Sequence, residues 1–278
     1  MKFSIVHHTR YHYQKAVFLE PHLVRLRPAC DATQHLESFR LRVVPEPAGQ
    51  AEYVDLDGNS VTQLWFEGTT SSLQIEATSL VETRRTNPFD FLLDKSQISA
   101  LGYHPELFPF FDKTRRAQGI HPTVRRLARK LAGEAGGEVL QFLNLLNAHI
   151  AGEIAYVSRA TGVPHPAELT LAEGRGACRD VAVLFIDCCR VLGIPARFVS
   201  GYSESAVDEE GHELHAWAEV CLPGGGWRGY DPSSGLLVAD RHVAVARAYL
   251  PLGAAPVTGT IRGDGAIAEL STRIRVGG

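Results

Sequence analysis

No apolar run in this 278-residue chain approaches the roughly 18–20 residues that a membrane-crossing helix needs. A dominant charge is missing as well, since Lys+Arg at 28 against Asp+Glu at 31 leave a formal −3. That balance gives no electrostatic ground for a nucleic-acid or anionic-membrane partner. The opening stretch Met1 to His8 has a single Lys, no sustained apolar core and no small-residue cleavage site. It lacks the pattern of a secretory signal, so a cytoplasmic location is expected. Cysteines are few: Cys30, Cys178, Cys188, Cys189 and Cys221 make an odd five with no Cys-x-x-Cys pair, which argues against structural disulfides. Metal-ligand spacing is also lacking. His7, His8 and His12 crowd the first strand-like run, but His7 and His8 alternate to opposite faces and no Cys/His set accompanies them, so no metal site is expected. There is no internal repeat and no low-complexity segment.

What is present supports a packed protein of one large or two ordinary domains, with 45% hydrophobic and 21% charged residues. Up to about residue 83 the pattern is β. Bulky residues recur at alternate positions from Phe3 to Tyr13, Phe39, Leu41 and Val43 alternate with Arg40 and Arg42, and Leu73, Ile75 and Ala77 alternate again. Between Val54–Leu56 and Val61–Trp65 lies Asp57-Gly58-Asn59, a hairpin signal because Gly and Asn tolerate the positive φ of such a turn. These runs predict an antiparallel sandwich over 1–85. Asn87-Pro88, His104-Pro105, Phe108-Pro109 and His121-Pro122 break regular structure over 86–121. That stretch reads as a connecting segment held down by Phe89, Phe91, Tyr103, Phe108, Phe110 and Phe111.

From Pro122 the period turns helical: Val124, Leu127, Ala128 and Leu131, then Val139, Phe142, Leu143, Leu146 and Ile150. Residues 151–177 read as loop. A third helix starts at Cys178 and ends at Gly193, with Pro195 beyond it. Strands are predicted over 197–202, 214–221 and 227–230, an exposed acidic loop over 203–213, and closing strands in the tail through Ile267, Leu270, Thr272, Ile274 and Val276. The second domain is accordingly taken as 122–278.

The chemistry concentrates in Gly174-Arg175-Gly176-Ala177-Cys178-Arg179-Asp180. A glycine-bracketed turn brings a thiol to the first turn of a helix, where unpaired N–H groups and the helix dipole favour an anion by about 0.3–1 kcal/mol. Alone, a cysteine there is more often a small buried residue; an activated thiolate needs an imidazole nearby. His215 is the best placed histidine, on the strand face opposite Leu214, Ala216, Ala218 and Val220, and so free of an aliphatic core. Asp231 closes the next strand; it fits either a turn-initiating Asp before Pro232 or a carboxylate that orients His215. Nucleophile, base and orienter would thus converge from three separate segments. The oxyanion of acyl transfer would be met by the Cys178 backbone N–H and, as a second donor, the Tyr156 hydroxyl. Cys188, Cys189, Cys221 and Cys30 lack this combination of glycines and helix start.

At these residues the chain resembles the transglutaminase-like superfamily, in particular its bacterial transglutaminase-like proteins. The resemblance rests on Gly176-Ala177-Cys178-Arg179-Asp180, on Arg190 through Tyr202, on His215-Ala216-Trp217-Ala218-Glu219-Val220, and on Trp227 through Ser233, in order and spacing. In the first 85 residues, Tyr11-His12-Tyr13, Leu23 through Pro28 and Asp57-Gly58-Asn59 look like motifs of the sandwich that precedes the core in that group. The resemblance implies an α+β fold: an antiparallel β-sandwich followed by a papain-like, transglutaminase-like core of helices on an antiparallel sheet. It also implies a Cys178, His215, Asp231 triad, no metal or organic cofactor, and hydrolysis or aminolysis of a peptide, protein or other amide substrate. One departure stands out. Where the family continues with Gly-Arg-Asp-Tyr, this chain has Ala246-Arg247-Ala248-Tyr249-Leu250. A non-catalytic binding module on the same fold is the alternative reading.

Overall fold

The computed structural model describes residues 1–94, 98–99, 102–103, 117–159, 161–204, 207–208, 211–263 and 268–277; of residues 98–99, 102–103, 207–208 and 211–212 it describes the backbone alone. Strict alternation shapes the first part. In β1 (Lys2–Leu19) the odd positions Phe3, Ile5, His7, Thr9 and Tyr13 are buried, whereas Lys2, Ser4, His8 and Arg10 face outward. The same rule orders β3 (Gln34–Val44) and β6 (Thr69–Thr83), where Leu73, Ile75, Ala77 and Val81 point inward. β1 pairs antiparallel with β6, placing Thr9 opposite Ile75, and β6 pairs with β3. A smaller sheet holds β2 (His22–Val24), β4 (Gly49–Val54) and β5 (Ser60–Trp65). The Asp57-Gly58-Asn59 turn joins the last two, with Gly58 at φ +84. Val17, Leu19, Val24, Leu64, Leu73 and Ile75 form the core between the sheets, as the β pattern requires.

The second part carries α1 (Pro122–Glu134), α2 (Val139–Glu153), α3 (Ala167–Glu173) and α4 (Cys178–Val191). α1, α2 and α4 follow the predicted apolar stripes. α3 lies where a loop was expected. It is only two turns long, too short for its periodicity to register, and it begins after Pro166 and ends at Gly174. The helices cover one face of a five-stranded antiparallel sheet built from β9 (Ala196–Ser203), β10 (His215–Leu222), β11 (Gly226–Asp231), β12 (Leu236–Leu237) and β13 (His242–Ala248), in the order β12-β11-β10-β9-β13. The two short strands β7 (Ala155–Tyr156) and β8 (Arg175–Gly176) pair in parallel beside it. No helix of the described residues is long and apolar enough to cross a membrane.

The tail departs from expectation. β14 (Val257–Thr258) pairs with β2, while β15 (Ile261–Arg262) and β16 (Ala268–Gly277) pair with β1. These strands complete the N-terminal sheets instead of closing the second domain. The reason is the edge of β1, whose backbone N–H and C=O groups need partners. β16 supplies them over ten residue pairs, from Ser4 opposite Gly277 to Tyr13 opposite Ala268. The acidic stretch is not wholly loop either: residues 207–208 and 211–212 pair with each other, and His212 pairs with Ile274. Of the aromatic anchors, Phe91 packs on the helical core beneath Arg228 and Phe89 stays exposed. The Tyr103 side chain and Phe108, Phe110 and Phe111 lie outside the described residues.

The two parts meet across the other face of the five-stranded sheet. Phe3, Ile5, Val81 and Ile274 pack on Tyr202, Val243 and Val245. The outer edge of β13 is closed by two side-chain amides that imitate a neighbouring strand. Gln34 donates to the Ala244 carbonyl at 2.9 Å and accepts from its N–H at 2.8 Å; Asn59 does the same to Arg247, at 2.7 Å each way. Inside the sheet, Gly201 leaves room for a neighbour: a Cβ there would collide with the Val243 carbonyl and lie 2.6 Å from the Trp217 ring. Gly201→Ala is expected to lower the unfolding free energy by about 1–3 kcal/mol, read from the shift in urea midpoint at unchanged m.

Candidate active site

The site begins with a glycine pair. Gly174, at φ +62, ends α3 in the left-handed region. A Cβ on Gly176 would stand 3.0 Å from Asp180 Cβ and 3.0 Å from Thr170 Cγ2, so the turn packs closely on α3 and α4. β8 in this turn pairs with β7, which sets Gly176 opposite Tyr156. The chain then enters α4 with Cys178 as its first residue. Asp180, 1% exposed, holds the turn: its Oδ2 accepts from Ala177 N at 2.9 Å, and its Oδ1 from Arg159 Nη2 at 2.6 Å and His165 N at 2.7 Å. One carboxylate thus caps the helix and holds both Arg159 and His165 at its start.

His215 is the first residue of β10 and Asp231 the last of β11. His215 Nε2 lies 2.8 Å from Asp231 Oδ2, and the Cys178 thiol is the ring's other electrostatic neighbour. The structure therefore brings the three predicted residues together. His215 is more enclosed than its strand pattern suggests, at 6% exposure, with Trp217 at 0% on the same face. On that face Trp217 packs with Val199, Val238 and Ala244 and against the His242 ring, so both faces of β10 are buried. Burial disfavours the charged ring, but the hydrogen bonds to Asp231 and Cys178 and the charges of both outweigh it, lifting His215 from 6.5 to about 10. For Asp231 burial again opposes the charge, and hydrogen bonds from His215 and His242 hold the carboxyl well below the usual range.

His242 is the residue that sequence reading missed. It opens β13, and its Nε2 lies 3.3 Å from the same Asp231 Oδ2. The available signal was a lone histidine heading the Val-Ala-Val-Ala run of 243–246, which spacing alone does not link to Asp231. One donor atom each from His215, Asp231 and His242 lie within 4.8 Å of one another. At 2.8 and 3.3 Å to one oxygen they form a hydrogen-bonded cluster, with each imidazole serving as donor.

Tyr156 stands next to the Cys178 turn through the β7–β8 pairing, but its hydroxyl donates to Glu213 Oε2 at 3.2 Å. Ser158 Oγ donates to the other Glu213 oxygen at 2.6 Å. Cys188 and Cys189 are fully buried in the helical core, and burial pushes both thiols up; Cys221 is raised to about 11. Cys30 is exposed. His7 is buried against Tyr202 at 2.8 Å and Thr9 at 3.1 Å, while His8 faces Glu76 on the opposite side of the sheet. In the departing segment, Arg247 binds Glu219 and Asp31, and the Tyr249 carbonyl accepts from Arg190. A cleft of about 1400 Å³ between the N-terminal sheet and the helical part includes Cys178 and His215, with Arg179, Leu250 and Leu252 on its walls.

Residues 3–82 match the family model described as the bacterial transglutaminase-like N-terminal region, and residues 125–232 match that of the transglutaminase-like superfamily. An uncharacterised protein of Mycobacterium leprae is 25% identical over 277 residues, covering 95% of each chain. One of Mycobacterium tuberculosis is 24% identical over 274 residues, covering 94% of this chain and 87% of its own. A crystal structure of a candidate cysteine protease from Cytophaga hutchinsonii superposes with a TM-score of 0.73 at 22% identity, covering 100% of this chain and 90% of that one.

The two ionisations bound a pH window. Asp231, depressed, contributes stability above the ordinary carboxylate value of 3.8 and loses it as pH falls; His215, raised, contributes fully below 6.5 and loses it as pH climbs through about 10. In Asp231→Asn the His215 titration midpoint is expected to fall by about 1–3 units, measured by nitrogen-15 NMR of the imidazole. The stability gap between wild type and this variant is expected to shrink from pH 7 to pH 10.

Proposed function

Because the chain belongs to the transglutaminase-like superfamily, we propose that it is a cysteine-dependent amide hydrolase or acyl transferase that works through a thioester on Cys178. The reading is supported above all by the 2.8 Å bond from His215 to Asp231, with the Cys178 thiol beside the same imidazole at the start of a helix. A cleft of about 1400 Å³ exceeds the roughly 300–1,000 Å³ of small-ligand pockets, which favours a polypeptide segment as the substrate.

The chemistry follows from this arrangement. The Cys178 thiolate, paired with the His215 imidazolium, adds to the amide carbonyl carbon. The C–N bond then breaks, and the amine leaves with the proton from His215 Nδ1. Asp231 keeps the ring in the orientation that presents Nδ1 and steadies its positive charge. The resulting thioester is attacked by water or by an amine, which gives its proton to His215; the carboxylic acid or new amide departs and the thiolate returns. The tetrahedral oxyanion needs donors. Cys178, as the first residue of α4, has a backbone N–H outside the helical ladder. The Tyr156 hydroxyl is the second donor in this reading, once substrate draws it from Glu213.

A reactive aryl ester tests the proposal without knowledge of the natural substrate. Wild-type protein should release a burst of nitrophenolate from p-nitrophenyl acetate and carry the acetyl group on Cys178, seen by mass spectrometry. Cys178→Ala should abolish the burst, and His215→Ala should slow acylation by about 10²–10⁴-fold. Turnover that survives in Cys178→Ala, or an acetyl group found elsewhere, would sink the reading.

A further inference from the structure

We infer that His242 is a positioning residue of the triad, which shares the Asp231 oxygen that His215 uses and so loosens the hold of that carboxylate on the His215 proton. The inference rests on Cys178 being the nucleophile of the preceding section. Asp231 is 1% exposed and has no solvent to disperse its charge. Its Oδ1 accepts from Ser233 N at 3.1 Å and Ser233 Oγ at 2.6 Å, while Oδ2 accepts from His215 at 2.8 Å and His242 at 3.3 Å. Ser233 and His215 already fix the plane of the carboxylate. A fourth donor adds little to its placement but takes up charge from the oxygen that faces the catalytic ring.

The surroundings of His242 fit that task. The residue is 5% exposed, its ring stands edge-on to Trp217 with centroids 5.3 Å apart, and its ring centroid is 6.1 Å from that of His215. Its Nδ1 is buried and has no partner among the described residues. The proton of a neutral His242 therefore belongs on Nε2, where Asp231 accepts it. A histidine retained only to fill space beside Trp217 has no need to aim that N–H at a carboxylate already served by three donors.

The consequence is chemical. An imidazolium held too firmly by Asp231 is a poor acid toward a leaving amine, since proton donation is best when the group titrates near the working pH. Drawing electron density from Oδ2 toward His242 brings His215 closer to that condition. Further titratable and charged groups, Tyr156, Arg179 and Glu213, gather around Cys178.

Nitrogen-15 NMR of the ring nitrogens separates this role from packing. In wild type, His242 should appear as the Nε2–H tautomer. His242→Phe keeps the ring volume but removes the donor, and should raise the His215 midpoint by about half a pH unit or more, roughly a threefold gain in proton affinity. His242→Gln places an amide N–H near the lost one and should restore the wild-type midpoint. If the Phe variant does not fold, His242→Asn, whose shorter amide withdraws from Oδ2, should show the same rise. A His215 midpoint that is unchanged or lowered when the donor is withdrawn, or one that Gln fails to restore, overturns the inference. Failure of the nucleophile reading would show separately, as wild-type protein that takes no acetyl group on Cys178 while the His215 midpoints still answer to position 242.

Discussion

Taking a carboxylate out of water costs several kcal/mol unless donors replace the lost hydration, and the second part of this fold is arranged around three such groups. Asp180 and Asp231 are 1% exposed and Glu219 is 7% exposed. Each is answered differently. Asp180 binds two backbone N–H groups and an arginine, tying together a turn, a loop and a helix start. Asp231 binds two imidazoles and a serine. Glu219 sits between Arg197 and Arg247, and Arg247 reaches on to Asp31 in the N-terminal part. Through these donors the buried charges hold together segments that lie far apart in the chain.

The N-terminal part does more than precede the five-stranded sheet. It supplies the amides of Gln34 and Asn59 that close the β13 edge, and the apolar wall of Phe3, Ile5 and Val81 against Tyr202 and Val243. His7 lies in that wall. Burial, with a smaller contribution from the charge of His8, depresses its ring to about 3, so this junction stays uncharged through the physiological range. Since His242 and Arg247 both lie on β13, whatever steadies this strand also steadies the donors to Asp231 and Glu219.

What could be read from the chain beforehand followed the range of each interaction. Cys178 was legible because the glycines and the apolar period after it are local. His215 and Asp231 were legible as strand residues, and their convergence on Cys178 as a resemblance. His242 was not, because its meaning depends on which strand β13 adjoins and on a shift in the β9–β13 register between Ser200 and Gly201. The burial of His215 was missed for a related reason: alternation says which residues share a face, not whether another sheet covers it. Asn59 fits a turn by its residue type and serves also as a clamp on Arg247. α3 escaped because two turns carry too little periodicity, and the placement of β14, β15 and β16 because their partners, β2 and β1, lie more than 230 residues away.

That last pairing has a bearing on how the protein is made. A strand begun within the first few residues cannot gain its second neighbour until residues 268–277 have been synthesised. Through most of translation β1 therefore has β6 on one side and an open flank on the other, the kind of edge that recruits foreign strands. Long-range closure of this type is slow, and chains that wait for it are exposed to misassembly at the ribosome. The outward-facing Lys2, His8 and Arg10 of β1 are the sort of side chains that keep such an edge soluble while it waits.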